Sequence, residues 1–320
     1  MSAKNPLEAS ELFSHVEDAT SFHVPRFLTP WAHGEHAGHI ELPQPFATPL
    51  KHEGDEQHGG HAAYQVVWQP HTGIPVIDNT VKPLDFVFTK FMLLILVVAV
   101  GCVLLFTWLA KKIQGGERSK GLLANFLETL LVFIRDKIAE PAIGHHDAHR
   151  FLPYLWTVFF FVLGCNLIGM LPWMGAPTGA FAVTASLALC TFGAVLYAGI
   201  EKLGFIGFLK AQVPHMELPF ALAIILKPLI FVIEIMGLLI KHFVLGVRLL
   251  ANMVAGHLVL AVLTAFIGAT AQLLVWYGVA PASVLGAVAF SVLELFVAFL
   301  QAYIFTFLSA LFIGAAAHPH

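Results

Sequence analysis

The sequence predicts an all-α, multi-span helical membrane protein, and three observations carry that prediction. Of the 320 residues, 58% are hydrophobic and only 12% are charged, against about 25% charged in a typical soluble domain. The apolar residues gather into runs long enough to cross a bilayer, whose hydrocarbon core takes about 20 helical residues. The polar residues collect at the N-terminus and in short segments between those runs. A net charge of −3 is too mild to point to a nucleic-acid partner, and none is expected.

Residues 1–82 form a polar N-terminal extension that holds nine of the seventeen histidines. Its start, "MSAKNPLEASELFSHVEDATSF", is mixed and acidic, unlike a secretion signal with its basic start and apolar stretch. His33, His36 and His39 in "HGEHAGH" are able to bind a metal, but nothing supplies a carboxylate or thiol at a fixed geometry. The composition therefore predicts a flexible, solvated segment, and neither a metal nor another cofactor is expected in the chain.

Residues 83–315 are predicted to be the helical membrane domain. A first span covers about 85–110. In 116–143, charges recur between apolar positions, the pattern of an amphipathic helix lying on the membrane surface. Two spans follow near 151–173 and 179–201. The stretch 218–275 is too long for one perpendicular span, and a last span covers about 283–315. Cys102, Cys165 and Cys190 each lie inside an apolar run, as small packing residues.

Orientation follows from the loops. Lys111, Lys112, Arg118, Lys120, Arg135, Lys137 and Arg150 crowd the segment after the first span, and Lys202 and Lys210 follow the third. Excess Lys and Arg marks the cytoplasmic side, so the extension is expected outside. If 218–275 crosses once, five crossings leave the C-terminus inside.

Several chemistries are excluded by what is missing. No HExxH or GxSxG supports a protease, and no glycine-rich phosphate loop occurs. Haem needs paired axial histidines on facing helices, whereas His242 and His257 lie on one segment.

The unusual residue is Arg248. From Phe243 to Ala310 the only other formally charged side chain is Glu294, with His257 as a third titratable group. An arginine at the bilayer centre costs about 2.5–3.5 kcal/mol on insertion scales. Snorkelling to the headgroups suits Lys241 and His242 better, two turns away. At 100° per residue Asn252 shares the face of Arg248, and His257 points to the opposite side. Glu294 and Gln301 share a face of the last helix, and Glu234, Lys241 and Arg248 step by seven along one stripe if their helix is unbroken. Gly246, Ala251, Ala255 and Gly256 let another helix come close.

A fixed cation suits one protonic task. A carboxylate moving through lipid travels neutral, because desolvation disfavours its charged form; beside a permanent cation it releases its proton. Arginine keeps its charge through every cycle, whereas a buried lysine can lose it.

"GVRLLANMVAGH" together with the later "LQAYIF" resembles the a subunit of F-type ATP synthase, as does "EPAIGHHDAHRFLPYLWTVFFFVLGCNLIGMLPW" with "AVTASLAL". The likeness runs from about 80 to 315. It implies two long tilted helices over 218–315 packed against a ring of c subunits, with Arg248 as the stator arginine facing that ring. Asn252, His257, Glu294 and Gln301 match positions lining the half-channel from the outside, and Glu234 an acidic position of the cytoplasmic half-channel. Many bacterial members have Glu where this chain has His257 and His where it has Glu294, so the acid–imidazole pair is kept with its members exchanged. The resemblance also implies a non-catalytic, ion-translocating subunit of the bacterial inner membrane, beside b-type peripheral stalk subunits. A stand-alone proton channel or secondary transporter is the alternative; it predicts inverted repeats with broken helices, and no such repeat is visible.

Overall fold

The computed structural model describes residues 21–23, 39–42, 47–49, 64–66, 89–113, 121–171, 174–212, 220–270 and 274–318; of 220–225 only the backbone is described. In the extension, β1 (Ser21–His23) pairs antiparallel with β2 (His39–Glu41), and β3 (Ala47–Pro49) with β4 (Tyr64–Val66). These short ladders depart from the unstructured segment that composition suggests. Phe22, Ile40, Tyr64 and Val66 are strand-favouring residues that the polar average hides. His39 stands in β2 opposite His23, and His33 and His36 lie outside the described residues.

The body is helical. It runs α1 (Lys90–Ile113), α2 (Leu122–Phe133), a wide π-type turn (Ile134–Ala139), α3 (Glu140–Ile143), α4 (His145–Gly169), α5 (Phe181–Ala211), α6 (Phe220–Ala269) and α7 (Trp276–Ala317). Five helices are long and apolar enough to cross a membrane: α1, α4, α5, α6 from Leu226, and α7. The protein is thus a multi-span helical membrane protein, with α4 packed against both α1 and α7.

α1 and α4 bury large apolar side chains, Leu94 and Val98 on the one and Leu155 and Phe159 on the other, whereas α7 buries mostly small and polar ones and turns large apolar ones outward, as helix packing in lipid favours. On α7 the buried stripe is Glu294, Ala298, Gln301, Ala302, Phe305, Thr306, Ser309 and Ala310. Outward-facing Val292, Leu293, Phe296 and Phe299 are exposed. Hydroxyls in the helices donate back to carbonyls one turn earlier, as Thr107 does to Val103 at 2.8 Å and Ser309 to Phe305 at 2.7 Å, which satisfies those polar hydrogens within the helix.

The predicted spans shift where polar residues join helices. α4 begins at His145, not near 151, because "HHDAHR" folds into its first turns; Gly144, at φ 95°, turns the chain from α3. It stops at Gly169, short of 173. α5 runs to Ala211, past 201, but its backbone breaks at Gly204, whose φ of 70° an L side chain rarely adopts. Beyond the break Phe208 folds back onto Gly199, where any Cβ would overlap its ring. The amphipathic segment divides into α2, the wide turn and α3, with Leu122 and Phe126 exposed and Ala124 and Leu127 buried.

The ends of α4, α5 and α7 are clasped by charge. Asp147 accepts from Lys202 Nζ at 2.6 Å and faces His318 Nε2 at 3.2 Å. Arg150 pairs with Glu201 and donates to Tyr197 Oη at 2.6 Å. Trp156 Nε1 donates to the Leu131 carbonyl at 3.1 Å, tying α2 to α4. A Cβ on Gly314 would overlap the Ala142 carbonyl, so α3 rests directly on the α7 backbone.

Candidate functional site

α6 continues without interruption from Phe220 to Ala269 despite Pro228, which is the condition for the Glu234, Lys241 and Arg248 stripe. Glu234 and Lys241 are exposed and Arg248 is half-buried. Seven helical residues rise about 10 Å, so Glu234 lies two such steps from Arg248 and makes no contact with it. Among the described residues no carboxylate forms an ion pair with Arg248.

Further along, α6 meets α7 in antiparallel packing through two polar pairs. Asn252 Nδ2 donates to Gln301 Oε1 at 2.9 Å. His257 Nδ1 lies 3.2 Å from Glu294 Oε1, with side chains 15% and 6% exposed. Four of the predicted site residues therefore come together as two facing pairs, while Arg248 stands one turn before Asn252 and Glu234 stands apart. The Gln301 Nε2 group is buried without a partner among the described residues.

Gly256 explains how a carboxylate sits so close to α6. A Cβ at that position would lie 2.5 Å from Glu294 Oε1 and 3.0 Å from its carboxyl carbon. Gly256→Ala should thus push Glu294 away from His257 and lower stability in a detergent-unfolding measurement by about 1–3 kcal/mol, the cost of overpacking. Gly268→Ala, on the same helix where an added methyl meets nothing within 4 Å, should leave stability unchanged. Equal stability for both variants would remove the need for close approach.

A cavity of about 530 Å³ opens between the α6 and α7 segments beyond the acid–imidazole pair, lined by Met170, Thr264, Ser283, Ser291 and Leu295 among others. Ser291 stands one turn before Glu294 and donates to the Ala287 carbonyl at 2.9 Å; Thr264 donates to Leu260 at 2.8 Å. With those hydrogens committed, both oxygens keep lone pairs for water.

Among the buried polar residues that the sequence analysis left out or placed elsewhere are His242 and Asn166. His242, placed there near the headgroups, is only 3% exposed, between the rings of Phe192 and Phe312. Its Nδ1 lies 2.8 Å from the Leu238 carbonyl, which can only accept, so Nδ1 carries the proton. A histidine beside Lys241 gives no sequence signal of burial; only the α5 and α7 aromatics cover it. Asn166 is fully buried at the end of α4, where it donates to the Ala298 carbonyl at 3.3 Å and accepts from Thr178 at 2.9 Å. Its sequence signal was a lone amide in "VLGCNLIGM".

An antiparallel pair of long membrane helices, with an acid–imidazole pair buried between them and a half-buried arginine nearby, defines a polytopic helical membrane protein with ionisable groups inside its span. The model of the ATP synthase A chain family matches residues 91–314, and the chain belongs to that family. It is 47% identical over 204 residues to ATP synthase subunit a of Myxococcus xanthus, covering 63% of this chain and 64% of that protein. To the subunit a of Anaeromyxobacter sp. it is 37% identical over 314 residues, covering 97% of this chain and 70% of that protein. To subunit a 2 of Chlorobium luteolum it is 38% identical over 299 residues, 89% of this chain and 83% of that protein. Against the Myxococcus xanthus protein and two from Anaeromyxobacter dehalogenans, the matches span between half and two thirds of those relatives' lengths.

Proposed function

We propose that this chain is the proton-translocating stator subunit of an ATP synthase membrane sector, non-catalytic on its own. The observation that carries the proposal is the buried His257–Glu294 pair, 3.2 Å apart, between helices that also present Arg248. An acid and a base in contact exchange a proton within hydrogen-bond reach and titrate as a unit. The cavity lined by Thr264, Ser283 and Ser291 brings water to that pair from the outer face. Asn252 and Gln301 continue the polar path toward Arg248. There a carboxylate on a ring of c subunits meets the fixed cation, gives up its proton toward the cytoplasm and cannot pass protonated. Glu234, exposed on the Arg248 stripe, serves the cytoplasmic exit.

The partners are that ring, b-type peripheral stalk subunits and the rest of the complex, in a bacterial inner membrane with the N-terminus outside and the C-terminus inside. The experiment is co-purification followed by reconstitution. A ring of small two-helix, carboxylate-bearing proteins accompanies the chain, and ATP hydrolysis by the assembly acidifies vesicles. Purification without such a ring, or ion flux by the isolated chain at the full rate, overturns the stator role.

The extension makes no part of this path. Deleting residues 2–75 should leave coupled pumping within about twofold of the full chain, as expected of a polar terminal segment with no long apolar run. Complete loss of pumping in a correctly inserted complex would give the extension a share in transport.

A further inference from the structure

The end of α4 contacts both α6 and α7 beside their polar pairs. Asn166 and Thr178 are both fully buried. The Thr178 hydroxyl donates to Asn166 Oδ1 at 2.9 Å, and Asn166 Nδ2 donates to the Ala298 carbonyl at 3.3 Å. Ala298 lies one turn after Glu294 and three residues before Gln301, on the same buried stripe. One turn beyond Asn166, the position of a Cβ on Gly169 is 2.9 Å from the Met253 methyl and 2.6 Å from the Ala176 Cβ. Met253 is the neighbour of Asn252. The last turn of α4 therefore touches both helices beside their paired residues.

The amide has only one orientation that satisfies all three groups. Turned over, it would set its oxygen against the Ala298 carbonyl oxygen, two acceptors face to face. The Ala298 carbonyl, which can only accept, selects that orientation, and the Thr178 hydroxyl, donating to Oδ1, holds the amide in place. That hydroxyl is presented by the short turn at Pro177–Gly179, closed by Gly179 N–H donating to the Ala176 carbonyl at 2.9 Å.

We propose that Thr178 is a positioning residue for proton transfer: through Asn166 it sets the rotation of α7, and so the distance between Glu294 and His257 and between Gln301 and Asn252. The effect on transport rests on the function proposed above; the effect on geometry does not.

Two measurements separate the levels. In the Asn252→Cys/Gln301→Cys double variant, a short bis-thiosulfonate reagent reads the approach of α7 to α6 as a cross-link within the chain. In the otherwise native complex, ATP-driven acidification and the outer proton concentration for half-maximal flux read transport. Thr178→Val removes the donor at nearly constant volume. It should lower the cross-link yield and the flux each about fivefold, the worth of one buried hydrogen bond, and shift the half-maximal proton concentration. Thr178→Ala should do the same, so poor assembly of one variant leaves the other. Thr178→Ser keeps the hydroxyl and should restore both within about twofold.

Unchanged cross-linking in the Val and Ala variants overturns the positioning role. So does a Ser variant as impaired as Val, which would assign the effect to packing and not to the hydroxyl. Reduced cross-linking with unchanged flux leaves the positioning intact and instead overturns the part of the helix pairs in transport.

Discussion

Arg248→Ala is expected to abolish ATP-driven proton pumping while the complex still assembles. The expected loss is about a hundredfold or more, the scale on which removal of a preorganised electrostatic partner acts in a low-dielectric site. Arg248 sits half-buried on an unbroken α6, with no ion pair among the described residues to neutralise it. In the proposed mechanism its charge meets a carboxylate brought from outside the chain. Arg248→Lys should fail as well, although it conserves formal charge. A desolvated ammonium sheds its proton and lacks the planar fork that holds a carboxylate through two hydrogen bonds. Vesicle acidification and retention of the ring on purification measure the two halves of this expectation. Near-normal coupled pumping by either variant removes the stator role from Arg248.

The second large effect concerns the acid–imidazole pair. His257→Ala and Glu294→Ala should each slow proton entry from the outer face about ten- to a hundredfold, the range of general acid–base contributions. Each also leaves its partner uncompensated in a site where the side chains are 15% and 6% exposed. The exchanged variant, His257→Glu with Glu294→His, restores one acid and one base at the same two backbone positions. It should recover at least about tenfold over the worse single change, because residues acting as a unit are non-additive. Potential-driven proton flux in reconstituted vesicles supplies the rates. An exchanged variant no better than the worse single one shows two independent polar residues and no pair.

Most of the helical body was legible because hydrocarbon imposes a simple rule: backbone polar groups must be satisfied within a helix, so apolar runs of sufficient length become helices. The same rule isolates Arg248, Glu294 and His257, since a charged or titratable group kept in such a run calls for a reason. Periodicity went further, placing Asn252 on the Arg248 face and Glu294 with Gln301. It failed where a helix borrows polar residues, as at His145–Arg150, whose charges are satisfied at the clasped ends of α4, α5 and α7. It failed again at α5, which runs past the expected end at 201 to Ala211, across a backbone break at Gly204 whose φ is 70°.

From its sequence alone this protein has its solvent, its helices, its family resemblance and its list of ionisable residues within the span, because each depends on local composition and spacing along one chain. Which of those residues meet depends on the mutual rotation and register of helices, and no single segment encodes that. The meeting of His257 and Glu294 was expected from spacing and an antiparallel packing of the two helices, but only the tertiary structure gave the pair its seat over the bare surface of Gly256 and set Asn252 against Gln301. It alone buried His242 between two aromatic rings and joined Thr178, Asn166 and the Ala298 carbonyl across three separate elements. Those contacts are short and directional, so a rotation of α7 by a fraction of a turn would undo them while leaving every apolar run where it was.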